Sequence, residues 1–219
     1  MACRRLLVGV LAFATCSTVL AQDRIRVINE GGIRDEWTLP AGARLAVPAY
    51  PRAYAADPAE ACVVIGYLLN PDGTTSDFAL LKAWSAREPQ RDRDAFWGAF
   101  AQDASNALAR WKFEPRAEVR TPRPVYTAAT FLFAATNAAE LRKRCAIPNL
   151  ALRLVELRQD TKAARRMAAD GIFQRLDIDP TLESRHRDQL RRREESLRPP
   201  DKAPPPPPLP PPPPPGGGG

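Results

Sequence analysis

The stretch that decides the fold runs from Cys62 to Gly73, C-V-V-I-G-Y-L-L-N-P-D-G. Val63, Ile65, Tyr67 and Leu69 recur at every second position, the period of a strand with one face on a core. Pro71-Asp72-Gly73 then predicts a tight turn, with proline setting φ and glycine free to take a positive φ. Thr75 to Trp84 is the returning strand, with Phe78 and Leu80 on the core face, and the two strands make a hairpin. The first strand is apolar on its other face too, at Cys62, Val64, Gly66 and Leu68. A sheet with one wet face alternates more cleanly. Something is therefore expected to cover the second face: the helical region after Phe133, the lead-in before Tyr50, or a second molecule.

Outward from the hairpin, Arg87 to Arg93 is a charged loop, and Asp94 to Trp111 carries an apolar stripe at helical spacing through Phe96 or Trp97, Phe100, Ala104, Ala107, Leu108 and Trp111. Trp111 and Phe113 are expected to anchor the core. Glu114-Pro115 ends the helix. After a second charged loop, Val125 to Phe133 reads as a strand, with Ala129, Phe131 and Phe133 on one face. Upstream, Arg24 to Ile28 alternates and could be a short strand, Gly31-Gly32 breaks it, Trp37 to Pro51 reads as extended, and a short helix over 52–56 follows Pro51. Downstream, Ala138 to Lys143 and Asn149 to Phe173 read as helices, the second with an imperfect stripe of Leu150, Leu154, Leu157, Ala164 and Met167. Asp179-Pro180 suits the start of a strongly charged helix ending at Leu197. Pro204 to Pro215 is all proline except Leu209, and Gly216 to Gly219 follows. Such a tail is expected to be disordered, or a polyproline ligand for an aromatic groove.

These elements predict an α+β fold: a small three-stranded antiparallel sheet with a packed helix, a C-terminal helical extension and a disordered Pro/Gly tail. The domain reading is a signal peptide over 1–21, a lead-in over 22–45, the sheet-and-helix domain over 46–134, the extension over 135–198 and the tail over 199–219. Arg4 and Arg5, the apolar run from Leu6 to Leu20, and Val19-Leu20-Ala21 before Gln22 have the make-up of a cleavable secretory signal. The run holds about 15 residues, short of the roughly 20 that span a bilayer, although an uncleaved anchor helix is the competing reading. The expected compartment is the bacterial periplasm, which permits disulfides. Cleavage would leave Cys62 and Cys145, which allow a single intramolecular pairing. Two thiols with the one histidine, His186, make a poor zinc set.

The formal net charge of +7 is read as a solubilising surface. Export argues against nucleic acid, and lipid headgroups, cell-wall polymers or acidic loops are the anionic partners within reach. No G-x-S-x-G, H-E-x-x-H or P-loop occurs. Asp72, Asp77 and Asp94 are explained by a turn, a strand end and a helix start. No catalysis, metal or cofactor is expected.

In order and spacing, Tyr50-Pro51, the strand before Asn70-Pro71-Asp72-Gly73, Ala107 to Pro115 with Trp111 and Phe113, and Thr130-Phe131-Leu132-Phe133 resemble the C-terminal domain of TonB, the periplasmic energy transducer. The resemblance covers about residues 46–134. It implies a domain that binds rather than reacts, clamping a peptide from an outer-membrane transporter that adds as a strand to the sheet edge. The edge would be Val125 to Phe133, so the expected contact residues are Val125, Thr127, Ala129, Thr130, Phe131 and Phe133, with Tyr50 and Pro51 close to the same surface. The chain departs from a transducer: the anchor with its membrane-embedded histidine and the long spacer are not recognised, and a basic extension follows the last strand.

Three functional readings follow. The first is a non-catalytic periplasmic protein that binds a protein partner by strand addition, an outer-membrane transporter or an envelope component. The second is an envelope module whose basic helices meet cell wall or lipid headgroups, with membrane contact at most peripheral. The third is an anchored transducer whose N-terminal helix is not cleaved. A homodimer remains open.

Overall fold

The computed structural model describes residues 24–160 and 171–197. The signal-peptide reading, positions 164 and 167 of the predicted stripe, and the Pro/Gly tail lie outside the described residues. In chain order the elements are β1 (Ile25–Val27), a 3-10 turn (Gly32–Asp35), β2 (Trp37–Thr38), a second 3-10 turn (Arg52–Tyr54), β3 (Ala61–Leu69), β4 (Thr75–Ser85), α1 (Arg93–Leu108), β5 (Glu114–Pro115), β6 (Val125–Phe133), α2 (Ala138–Cys145), α3 (Leu150–Gln159), α4 (Ile172–Arg175) and β7 (Leu176–Asp177). Asp179 and α5 (Pro180–Leu197) belong to a second unit. Asp179 caps that helix, accepting from the Thr181 N–H and hydroxyl, both at 2.8 Å.

The β3–β4 hairpin closes as its sequence dictates. Gly73 N–H donates to the Asn70 carbonyl at 2.8 Å, and Asn70 N–H to the Thr74 carbonyl at 2.8 Å. The Asp72 carboxylate accepts from the Thr74 hydroxyl (2.6 Å) and N–H (2.9 Å), which hold its pKa below the usual range. Gly73 sits at φ +81°, and a Cβ there would overlap the Phe113 backbone, because Phe113 N–H donates to the Gly73 carbonyl at 2.9 Å. Gly73→Ala therefore combines a left-handed backbone penalty with a backbone clash, and should destabilise the protein by about 2–3 kcal/mol. An unchanged urea midpoint would show that the turn does not meet Phe113 as described.

The sheet is larger than the predicted three antiparallel strands. It is mixed, with order β4-β3-β6-β1-β7. The β4-β3-β6 part is antiparallel, whereas β1 runs parallel to both β6 and β7. A small second sheet pairs β2 with β5. The alternation of Arg24 to Ile28 does form a strand, β1, but its place beside β6 is set by partners remote in sequence; β7, two residues long, is too short to show a period of two.

Every residue of β3 is buried. On one face Val63, Ile65, Tyr67 and Leu69 pack against Phe96, Phe100, Ala104 and Leu108 of α1, together with Phe131 and Phe133. Trp111 lies just past α1, half-buried against Phe131 (ring centroids 5.6 Å) and Phe113 (6.1 Å), with its Nε1–H donating to the Ala46 carbonyl at 2.8 Å. On the other face Cys62, Val64 and Leu68 meet Leu141 and Cys145 of α2, Leu150 and Leu154 of α3, Ile172 and Phe173 of α4, and Ile25 of β1. The extension thus covers the second face, while β1 of the lead-in lies within the sheet and adds Ile25 to that face. Cys62 and Cys145 form a disulfide with Cα atoms 6.2 Å apart. Asn137 and Asn149 cap α2 and α3 by accepting from Glu140 N–H and Leu152 N–H.

Candidate functional site

β6 pairs with β3 over nine consecutive residues, Val125↔Leu69 through Phe133↔Ala61, with no register shift. In such a ladder alternate residues direct their backbone groups to opposite sides. Tyr126 accepts from Ile28 N–H at 2.9 Å on the side away from β3, and Thr130 N–H donates to Glu30 Oε1 at 2.7 Å on that same side. Ala128 and Leu132 share their parity. The outward-facing residues of β6 are therefore Tyr126, Ala128, Thr130 and Leu132, while Val125, Thr127, Ala129, Phe131 and Phe133 direct their backbone groups to β3.

The outward side is half filled. β1 pairs at Arg26↔Val125 and Val27↔Tyr126, and the Ile28 N–H to Tyr126 bond ends that ladder. Beyond it, about 13 Å of β6 from Ala128 to Leu132 has no strand beside it among the described residues. What lies there is a side chain. The Glu30 carboxylate accepts from the Thr130 N–H and, at 2.6 Å, from its hydroxyl. Tyr67 is buried nearby. Burial first, and then the Glu30 charge, push its hydroxyl pKa above the usual range.

The backbone that carries Glu30 is held in place. The Asn29 side chain donates to the Pro148 carbonyl (3.3 Å) and accepts from Leu150 N–H (2.8 Å). The Asn29 carbonyl accepts from Gly32 N–H (2.9 Å) and the Thr127 hydroxyl (3.4 Å). Arg26 forks onto the Glu36 carboxylate at 2.9 and 2.6 Å, and this pairing raises the Arg26 pKa and lowers that of Glu36.

The other sheet edges are poorer templates. β4 is interrupted by register shifts at Leu81 and at Asp77–Phe78, and Asp77 has φ +53°. Arg153 Nε–H donates to the Leu81 carbonyl at 2.9 Å, and Lys82 reaches the Ala146 carbonyl at 2.9 Å. Bulges, left-handed residues and charged caps are the usual devices that keep an edge from pairing. β7 offers two residues.

The expectation of a β6 edge open along its whole length is thus corrected: β6 is interior where β1 lies beside it. Of the expected contact residues, Thr130 alone turns its backbone outward. Val125, Ala129, Phe131 and Phe133 lie in the α1-side core, and Thr127 is 1% exposed. Tyr50 is half-buried on that face, edge-on to Phe100 (5.2 Å) and Phe133 (6.0 Å). Its hydroxyl accepts from Ala59 N–H (3.0 Å) and donates to the Ala59 carbonyl (3.1 Å). Pro51 is buried. Tyr50 thus braces the Phe133 end of β6 from the core side. Sequence reasoning missed Glu30, whose single local signal is its place before Gly31-Gly32. Among the described residues no group of three His, Cys, Asp or Glu side chains could hold a metal ion. No described helix is long and apolar enough to cross a membrane.

No family model and no curated protein matches this chain. A solved structure does match: the solution NMR structure of the Pseudomonas aeruginosa TonB C-terminal domain. The match has 26% identity and covers 43% of this chain and 85% of that one, with a TM-score of 0.32. At that TM-score the two backbones superpose too loosely for the match to bear on the site.

Proposed function

We propose that this chain is a TonB-like protein-binding module that works outside the cytoplasm, in the periplasm. It captures an extended segment of an outer-membrane transporter or another envelope protein on the outward side of β6. The observation that carries this reading is the stretch from Ala128 to Leu132, unbroken in register with β3 and with no strand on its other side among the described residues, in a sheet whose β4 edge is bulged and capped. Strand addition needs an unbroken row of backbone donors and acceptors, and this stretch, in register with β3 throughout, supplies one apart from the Thr130 N–H that Glu30 occupies. The buried Cys62–Cys145 bond suits an oxidising compartment. Tyr50, next to Pro51, contributes by packing on Phe133, and Thr130 stands at the centre of the contact.

Thr130→Pro tests the reading. Its N–H points away from β3, so proline removes an outward donor and leaves the β3 ladder intact. In a pull-down from periplasmic extract the folded variant should lose most of the partner that the wild type retains. Equal recovery of the same partner would place the contact elsewhere. Strong loss of binding with added salt would then favour the basic helices meeting cell wall or headgroups.

A further inference from the structure

We propose that Glu30 is a built-in cap on the binding edge, which an incoming strand must displace. The inference rests on the strand-addition reading above and adds how that site is kept closed. Two bonds carry it, Thr130 N–H to Oε1 at 2.7 Å and Thr130 hydroxyl to Oε2 at 2.6 Å. A carboxylate is acceptor-only, so it copies the carbonyl of a neighbouring strand and nothing else. It satisfies the one N–H and supplies no donor to the outward carbonyls of Ala128 and Thr130. A peptide backbone supplies both, so a real strand replaces the cap and adds bonds that the cap cannot make.

The surrounding structure lets the cap move without unfolding anything. Asn29 is tied to Pro148, Leu150, Gly32 and Thr127, so the main chain is fixed one residue before Glu30. The carboxylate itself sits at the solvent-exposed rim. Rotation about its side-chain bonds returns it to water while the loop stays in place. The cap also blunts an edge that could otherwise pair with any extended chain, including another copy. β1 provides the complementary stop: its ladder closes with the Ile28 N–H bond to Tyr126 and leaves a window of three outward residues. The edge is thus reserved for a short strand that competes with a charge-assisted hydrogen bond.

The test compares wild type with Glu30→Ala and Glu30→Gln in two measurements. The first is amide hydrogen exchange at Thr130, with the Phe131 amide, directed to β3, as an internal check of folding. Glu30→Ala should speed Thr130 exchange by about tenfold or more, in keeping with loss of a hydrogen bond to a charged group. Glu30→Gln, which keeps one acceptor oxygen, should speed it less, and Phe131 should not change in either. The second is fluorescence anisotropy with the uncharged peptide TITVIN, residues 24–29 of this chain with threonine in place of both arginines. Its affinity for Glu30→Ala should be about tenfold above that for wild type. Equal Thr130 exchange in wild type and Glu30→Ala overturns the cap. Faster exchange with equal peptide affinity overturns its role as a gate. Faster exchange with no peptide bound by any form overturns strand addition at this edge and leaves the hydrogen-bond assignment standing.

Discussion

Phe100→Ala should lower the free energy of unfolding by about 3–5 kcal/mol, the cost of emptying a large aromatic site in a packed core. Phe100 is fully buried at the centre of α1. Its ring lies 4.9 Å from Phe96, 4.9 Å from Phe133, 5.2 Å from Tyr50, 5.9 Å from Trp97 and 6.2 Å from Tyr54. It joins the helix, the Tyr50–Pro51 turn and the far end of β6. Small domains hold about 5–15 kcal/mol in total, so much of the stability would go. Phe100→Leu retains most of the volume and should cost about 1.5 kcal/mol or less. Urea denaturation of the two variants checks this. If Phe100→Ala lies within 1 kcal/mol of wild type, α1 does not sit on the sheet by this face.

Removing the disulfide should be comparably costly, for a different reason. The bridge closes a sequence separation of 83 residues that contains β4, α1 and β6. Loop entropy for that length gives about 4.5 kcal/mol, acting by restricting the unfolded chain. The Cys62→Ala/Cys145→Ala double variant should therefore unfold at markedly lower urea than the oxidised wild type. Both cysteines are fully buried, so reductant should act on the wild type chiefly under unfolding conditions. Two alkylatable thiols in the denatured, unreduced protein would refute the bridge. So would a double variant as stable as wild type.

Much of the scaffold is legible in the sequence because it is local. Val63, Ile65, Tyr67 and Leu69 mark β3 by a period of two, Pro71-Asp72-Gly73 marks its turn, and Phe96, Phe100, Ala104 and Leu108 mark α1 by a period near 3.6. The second apolar face of β3 announces a cover, and two cysteines announce a bond. Where the cover comes from is not written locally. Ile25 and Leu176 lie next to each other in the sheet, although about 150 residues separate them. The alternation at Arg24 to Ile28 marks β1 as a strand without naming its neighbours, and β7, at two residues, carries no pattern of its own.

The candidate site divides along the same line. Alternation along Val125–Phe133 determines, from sequence alone, that the residues named Tyr126, Ala128, Thr130 and Leu132 share one parity. It cannot say which side of the strand stays open, because that depends on the neighbours that arrive there. Tertiary structure brings Ile25–Val27 to one half and the Glu30 carboxylate to the other, the latter 100 positions from Thr130. Periodicity is a property of the chain's own geometry, whereas a hydrogen bond between remote groups exists only after the core has packed and brought them within 3 Å.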